Sequence, residues 1–272
     1  MGVNPLVEIY SCEAGYYALV CCILVHVLRR RCLKQGLPWA ILALFLTMRI
    51  SRDVLEVLLQ TGFNQDGTFI EAIKLLDILA FGPLLLVTYM LVIFSIPTPI
   101  NLFKGVSLVT VIGLAIAMIL GGIGQSRIDP WSETMLLTDL GHKLTRAGLV
   151  FFTDSYIVTV VLHMFMLKGR PRAQISYKTY FALSTALLLL AVRLAYQWLN
   201  EVRPQIFQGW PMTGDNWQWS ATSTDWWLYL VMGGIVEWIV VFIYLILGYV
   251  TPSSKSDVEE FEETGKWRLV EL

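Results

Sequence analysis

The chain has 272 residues, 56% of them hydrophobic and 15% charged, with a mean hydropathy of +0.62 and a net charge of −1. That is too apolar for an ordinary soluble domain, and a net charge of −1 gives no sign of nucleic-acid binding. A helix needs about 20 apolar residues to cross the hydrocarbon core, and runs of that kind fill most of the length; an all-α, integral membrane bundle of seven spans is expected.

The first thirteen residues hold no Lys or Arg, unlike the start of a signal peptide, so the first span, Tyr10–Leu28, reads as a retained helix. All four cysteines, Cys12, Cys21, Cys22 and Cys32, lie in or beside it without a CxxC pair. They read as buried, inert thiols, or, for Cys32 beside the basic run, as a palmitoylation site. The second span, Pro38–Leu59, carries Arg49, Arg52, Asp53 and Glu56 at i, i+3, i+4, i+7, which is one helical face. Arg52–Glu56 has the spacing of an architectural i,i+4 pair. The third span, Phe69–Ile96, adds Glu71, Lys74 and Asp77 and is expected to kink at Gly82-Pro83. The fourth, Leu102–Gly124, is apolar after Lys104.

The fifth span, Met135–Leu167, repeats the charged stripe with Asp139, His142, Lys143 and Arg146, then buries Asp154 near mid-depth; His163 reads as a satisfied or interfacial histidine. The sixth, Tyr177–Val202, places Arg193, Tyr196, Gln197 and Asn200 on one face. A loop, Arg203–Asp225, follows with Trp210, Trp217 and Trp219, read as an interfacial aromatic belt or a lid. In the seventh span, Trp226–Val250, Glu237 lies eleven positions in, at roughly 16 Å by the helical rise. The transmembrane domain is therefore 1–250. The tail, 251–272, is polar and acidic around Glu259, Glu260, Glu262 and Glu263, and is expected to be mobile.

Nine basic residues (Arg29, Arg30, Arg31, Lys34, Lys104, Lys168, Arg170, Arg172 and Lys178) fall on one side of this arrangement, against Arg127 and Arg203 on the other. The positive-inside rule puts the N-terminus in the lumen or outside and the C-terminus in the cytosol. Because successive spans alternate in direction, the stripes of spans two, three, five and six share the lumenal half. Lipid cannot satisfy them, so they are expected to face a common interior void. Over all the spans, eight acids outnumber six cations. A surplus buried carboxyl favours its protonated form, and a protonated carboxyl in a dry aromatic pocket is a general acid. Phe151, Phe152, Tyr156, Tyr196, Trp198 and Trp238 lie near these groups; they could line a pocket for an apolar chain, whose carbocations π faces stabilise, or serve as bundle packing.

HExxH, GxxxxGK[ST] and GxSxG are missing, as is an aspartate-rich diphosphate motif, and Gly121-Gly122-Ile123-Gly124 follows no strand. Neither a metal nor an organic cofactor is expected. Acid–base chemistry on an apolar substrate is the enzyme class that fits.

Several short motifs then bear a resemblance: Val7-Glu8-Ile9, Gly36 with Trp39, Met48-Arg49-Ile50, Gly82-Pro83-Leu84, Ala191-Val192-Arg193-Leu194 and Glu237-Trp238-Ile239-Val240-Val241. In this layout the chain resembles a fungal family of seven-helix membrane proteins that includes the membrane-bound terpene cyclases of ascofuranone-type meroterpenoid biosynthesis. The resemblance implies a multi-pass protein of the endoplasmic reticulum that cyclises a prenylated, farnesyl-bearing aromatic by protonating an alkene or epoxide, alongside other pathway enzymes. It implies Glu237 or Asp154 as proton donor, Asp77 as an alternative acid, and Arg49 and Arg193 as orienting cations, with Phe152, Tyr156, Tyr196, Gln197 and Trp238 against the substrate. The competing expectations are a seven-helix receptor or transporter for a small lipophilic molecule, or a structural or lipid-scrambling protein, none of them catalytic.

Overall fold

The computed structural model describes residues 5–30, 33–62, 67–95, 101–127, 135–169, 177–206 and 229–250. Nearly all of these residues are helical, and no strand occurs among them. The helices are α1 (Pro5–Arg30), α2 (Leu33–Gln60), α3 (Gly67–Phe94), α4 (Asn101–Arg127), α5 (Met135–Gly169), α6 (Tyr177–Ile206) and α7 (Val236–Val250), the last entered through a π-helical turn, Leu230–Ile235. In hydrocarbon every backbone N–H and C=O must pair within its own segment, and a helix does this unaided. α1, α2 and α4 exceed the expected spans at both ends, so that Lys34, Lys104 and Arg127 are helical rather than in loops, whereas α3 ends at Phe94, short of the expected Ile96. Most of the Trp-rich loop and the whole tail 251–272 lie outside the described residues, as does Cys32.

Six helices are long and apolar enough to cross a membrane: α1, α3, α4, α5, α6 and the segment from Leu230 through α7. The chain is thus a helical, multi-pass membrane protein. Its exposure pattern is the reverse of a soluble protein's. Leu19, Leu108, Val109, Phe181 and Leu188 are exposed, whereas Glu13, Arg49, Arg52, Asp53, Arg193 and Glu237 are buried. Lipid solvates the first set and cannot solvate the second. Cys12 and Cys22, expected to be buried, are exposed free thiols on this outer surface.

Each helix packs beside its sequence neighbour, α7 closes against α1 and α6, and α3 also touches α5 and α6. Phe69–Phe94 is the most enclosed span. α3 stays helical through Gly82 and Pro83. A Cβ on Gly82 would collide with the Met118 side chain, so this glycine admits α4 close to α3. Small residues bring α4 and α5 nearer still: a Cβ on Gly148 would lie 2.8 Å from the Ala117 carbonyl oxygen and 2.9 Å from Gly121 N. That is the small-residue packing by which membrane helices approach closely. α2 ends at Thr61 and Gly62; Gly62, at φ 75°, takes the left-handed conformation that glycine adopts without Cβ strain.

Candidate functional site

Four helices each send one charged side chain to a common point. Arg49 comes from α2, Asp77 from α3, Arg193 from α6 and Glu237 from the first turn of α7. Arg49 Nη1 donates to Asp77 Oδ1 at 2.6 Å, and Arg49 Nη2 donates to Glu237 Oε1. Arg193 Nε donates to the same Glu237 oxygen at 2.5 Å, and its Nη2 reaches Asp77 Oδ1 at 3.4 Å. The four close into a ring of alternating charge, two cations against two anions. Tyr17 OH donates to the remaining Glu237 oxygen at 3.2 Å. Arg49, Arg193 and Glu237 are shielded from solvent, while 29% of the Asp77 side chain is accessible.

A second cluster lies one helical turn along α2. Arg52 Nη1 donates to Tyr229 OH at 2.6 Å and to Asp53 Oδ1 at 3.0 Å. Its guanidinium lies against both the Tyr10 and Tyr229 rings, at 4.5 and 4.8 Å from their centroids, which are themselves 5.8 Å apart. Contact with aromatic rings suits the planar, weakly hydrated guanidinium. Glu13 Oε2 lies 3.9 Å from Arg52 and accepts a hydrogen bond from Tyr229 OH at 2.9 Å. Glu56, the expected i,i+4 partner, stands off at 3.9 Å. Three buried acids thus surround one cation, and neither Glu13 Oε1 nor Asp53 Oδ2 finds a protein partner. Among the described residues no group of three or more His, Cys, Asp or Glu side chains could hold a metal ion.

The π-helical turn just ahead of Glu237 positions this end of the bundle. π-helical turns redirect side chains and recur at functional sites. Gly233 and Gly234 lie in it, buried against Tyr229 and Glu13 respectively. An added Cβ at Gly234 would stop 3.8 Å from Glu13 Oε1.

Of the residues expected to act, Arg49, Asp77, Arg193 and Glu237 meet, and Tyr196 and Gln197 lie on the same flank of α6. Asp154 does not join them: it is exposed, on the outer stripe of α5 with Val150, Ile157 and Val161. Its side chain turns away from the buried charges it was expected to join. Phe152 is wedged edge-on against Phe81, and Tyr156 OH donates to the Leu187 carbonyl at 3.1 Å, so both serve helix packing. Trp238 stacks on Tyr16 between α7 and α1. The helix-five stripe splits: Lys143 and Asp139 pair on the exposed side, while His142 and Arg146 turn inward to Glu201, at 2.8 and 3.4 Å. Glu71 is exposed. His163 Nε2 meets Ser184 Oγ at 2.7 Å and the ring stacks on Tyr180, while Nδ1 is buried without a protein partner.

Glu13 and Tyr229 are the residues that reasoning from sequence misses. Tyr10, Glu13 and Tyr17, at i, i+3, i+7, form a polar-tipped stripe on α1 that could have revealed Glu13. Tyr229 gives no such signal. No curated protein and no solved structure matches the chain. Residues 8–254 match a domain of unknown function, DUF7702, and the chain belongs to that family.

Proposed function

We propose that the chain is a membrane-embedded terpene cyclase, closing a farnesylated aromatic precursor by acid-initiated carbocation cyclisation. The observation that carries this reading is the acid surplus around Arg52. Glu13, Asp53 and Glu56 share one guanidinium, with two carboxylate oxygens unpartnered and two tyrosine rings alongside. Uncompensated negative charge is costly in a buried site, and a proton held on Glu13 or Asp53 offsets it. That proton is the reagent. It passes to the terminal alkene carbon, whose π pair forms the new C–H bond; with an epoxide it passes to oxygen as the C–O bond breaks. Each following alkene supplies its π pair to the next ring bond. Loss of a proton from the last cation returns it to the carboxylate, so the reaction is an isomerisation with no net proton change.

Glu237 and Asp77 take a different part. Glu237 accepts from both arginines and from Tyr17, so it has no proton to donate, and the closed ring acts as a fixed electrostatic frame. The reading includes α2 as a seventh span, its charged stripe turned inward, with the N-terminus lumenal, the C-terminus cytosolic and residence in the endoplasmic reticulum.

The test is to feed microsomes of a fungal host expressing the chain with a linear farnesyl phenol or its terminal epoxide and follow products by mass-resolved chromatography. An isomeric, cyclised product is expected from the wild type and its loss from Glu13→Gln/Asp53→Asn. No isomer from either substrate overturns the cyclase, and undiminished product from the double variant overturns the acid assignment. A receptor or transporter without chemistry is the second reading. The charge-balanced ring favours it, because such a ring ties helices together whether or not a substrate reacts; binding without turnover would select it.

A further inference from the structure

α5 holds one charge that the bundle leaves outside. Asp154 is exposed, about 22 Å from one end of the span Asp139–Phe165 and about 16 Å from the other by the helical rise. Val150, Ile157, Val161 and Met164 share its face and are exposed as well. The other exposed charges of the described spans sit differently. Glu8, Glu71, Asp139, Lys143 and Lys178 lie within about the first turn of theirs, where headgroups and water reach them. Deep charges elsewhere turn inward: Arg49 and Arg193 are buried and paired with Glu237. Among the described residues no hydrogen bond or ion pair reaches Asp154. A carboxyl on one methylene is too short to reach the membrane surface from mid-span, as a lysine can. Charges within spans are retained where something pairs with them. The counter-charge to Asp154 therefore comes from outside the chain.

We propose that this face of α5 docks a transmembrane helix of another protein, one that presents a lysine or arginine halfway along an otherwise apolar stripe. Charge complementarity selects that occupant. A second copy docked on the same face about a two-fold axis would set Asp154 against Asp154, and like charges repel more strongly in hydrocarbon than in water. Nor do the described residues offer a copy a deep, open cation: Arg49, Arg52 and Arg193 are buried, and Lys143 is tied to Asp139. A lipid headgroup carries its cation at the surface, about 15 Å from the bilayer centre. A partner helix brings a cation to depth. Val150, Ile157 and Val161 then pack against its apolar stripe, and the ion pair sets the register, since a slip of one turn would leave both charges in lipid. Docking on this face does not depend on the cyclase reading.

Two single-span probes test the chemistry against the full chain in phosphatidylcholine vesicles: a leucine–alanine helix with one lysine at its centre, and the same helix with leucine there. Association is read by energy transfer between a labelled chain and a labelled probe. The lysine probe should associate about tenfold more tightly, the size of one interhelical polar contact in a bilayer. Equal association of the two probes with the wild type overturns the proposal, and this comparison needs no variant to fold. Asp154→Leu should erase the preference and Asp154→Glu should keep it; a preference that survives Asp154→Leu places the contact elsewhere and overturns this face. The natural occupant is read with the photo-reactive benzoylphenylalanine in place of Ile157, in membranes of cells that make the chain. The expected adduct is a membrane protein with a lysine or arginine near the middle of a span, lost in Asp154→Leu and kept in Asp154→Glu. An adduct between two copies, with lipid alone, or with a protein lacking such a cation overturns the proposal.

Discussion

Tyr229 OH donates to Glu13 Oε2 at 2.9 Å across 216 residues of sequence, and the same hydroxyl accepts from Arg52 Nη1 at 2.6 Å. One phenol therefore joins α1, α2 and the residue that leads into the π-helical turn. Tyr229→Phe keeps the ring over Arg52 and removes both bonds. It should destabilise the bundle by roughly 1–3 kcal/mol, the cost of stranding buried charged partners. Thermal unfolding in detergent, followed by size-exclusion chromatography, measures this; an unchanged midpoint would show that the hydroxyl adds nothing.

The Arg49–Asp77–Arg193–Glu237 ring should behave as a unit. Arg49→Met leaves Glu237 and Asp77 short of a cation and should cost about 3–5 kcal/mol, as breaking a buried pair does. Adding Glu237→Gln to it rebalances the charge, leaving Arg193 against Asp77. The double variant should be more stable than the sum of the single effects predicts, by about 1–3 kcal/mol of coupling energy. A double-mutant cycle on thermal stability reads this directly, and additivity would mean the contacts are independent.

Much of this ring is legible in the sequence because its arginines belong to polar stripes on apolar helices: Arg49 with Arg52, Asp53 and Glu56, and Arg193 with Gln197 and Asn200. A charge in a span must find a counter-charge, and alternating helix direction places these at similar depth. Asp154 shows the limit of that argument. Sequence position sets depth, but rotation about the axis sets the direction a side chain takes. α5 is rotated by its contact with α4, where Gly141, Thr145 and Gly148 approach Gly121 and Gly124. Asp154 falls outside that face and turns outward. Glu13 escapes for the opposite reason: its partner Arg52 is on another helix and its hydroxyl donor lies at the far end of the chain.

Under the proposed cyclase mechanism, Asp154 should therefore be dispensable. A carboxyl on the lipid-facing stripe costs up to about 2.5–3.5 kcal/mol on insertion scales. Asp154→Leu should keep the cyclised product at wild-type levels and raise, or at least preserve, the melting temperature. A loss of product in Asp154→Leu at normal expression would return this residue to the mechanism.

The α4–α5 contact gives a prediction independent of any charge. At Gly148 the clash is with backbone atoms, which cannot rotate away. Gly148→Ala should force the helices apart and cost about 1–3 kcal/mol, the usual penalty of overpacking. At Gly82 the clash is with the flexible Met118 side chain, so Gly82→Ala should be milder. Comparing the two melting curves checks the difference; equal losses would mean that α4 shifts as a whole at either position.

Topology supplies the last test, and α2 decides it. Six helices meet the length and apolarity needed for a span, and α2 is not among them, since Arg49, Arg52, Asp53 and Glu56 all fall in its second half. Yet those side chains are buried in the bundle rather than presented to lipid. Hydropathy counts their charges, whereas the outer face of the helix carries Leu37, Leu44 and Val54 together with the small polar Thr47 and Ser51. If α2 spans, the two termini lie on opposite sides, and the basic residues place the N-terminus in the lumen. If it does not, six spans leave both termini on one side. The native sequence has no Asn-x-Ser/Thr acceptor, so an engineered one reports without background. A tag with an acceptor ahead of Met1 should be glycosylated in microsomes, and the same tag after Leu272 should not. Modification of both tags, or of neither, would remove α2 from the set of spans and with it the alternation on which the shared depth of the charged stripes depends.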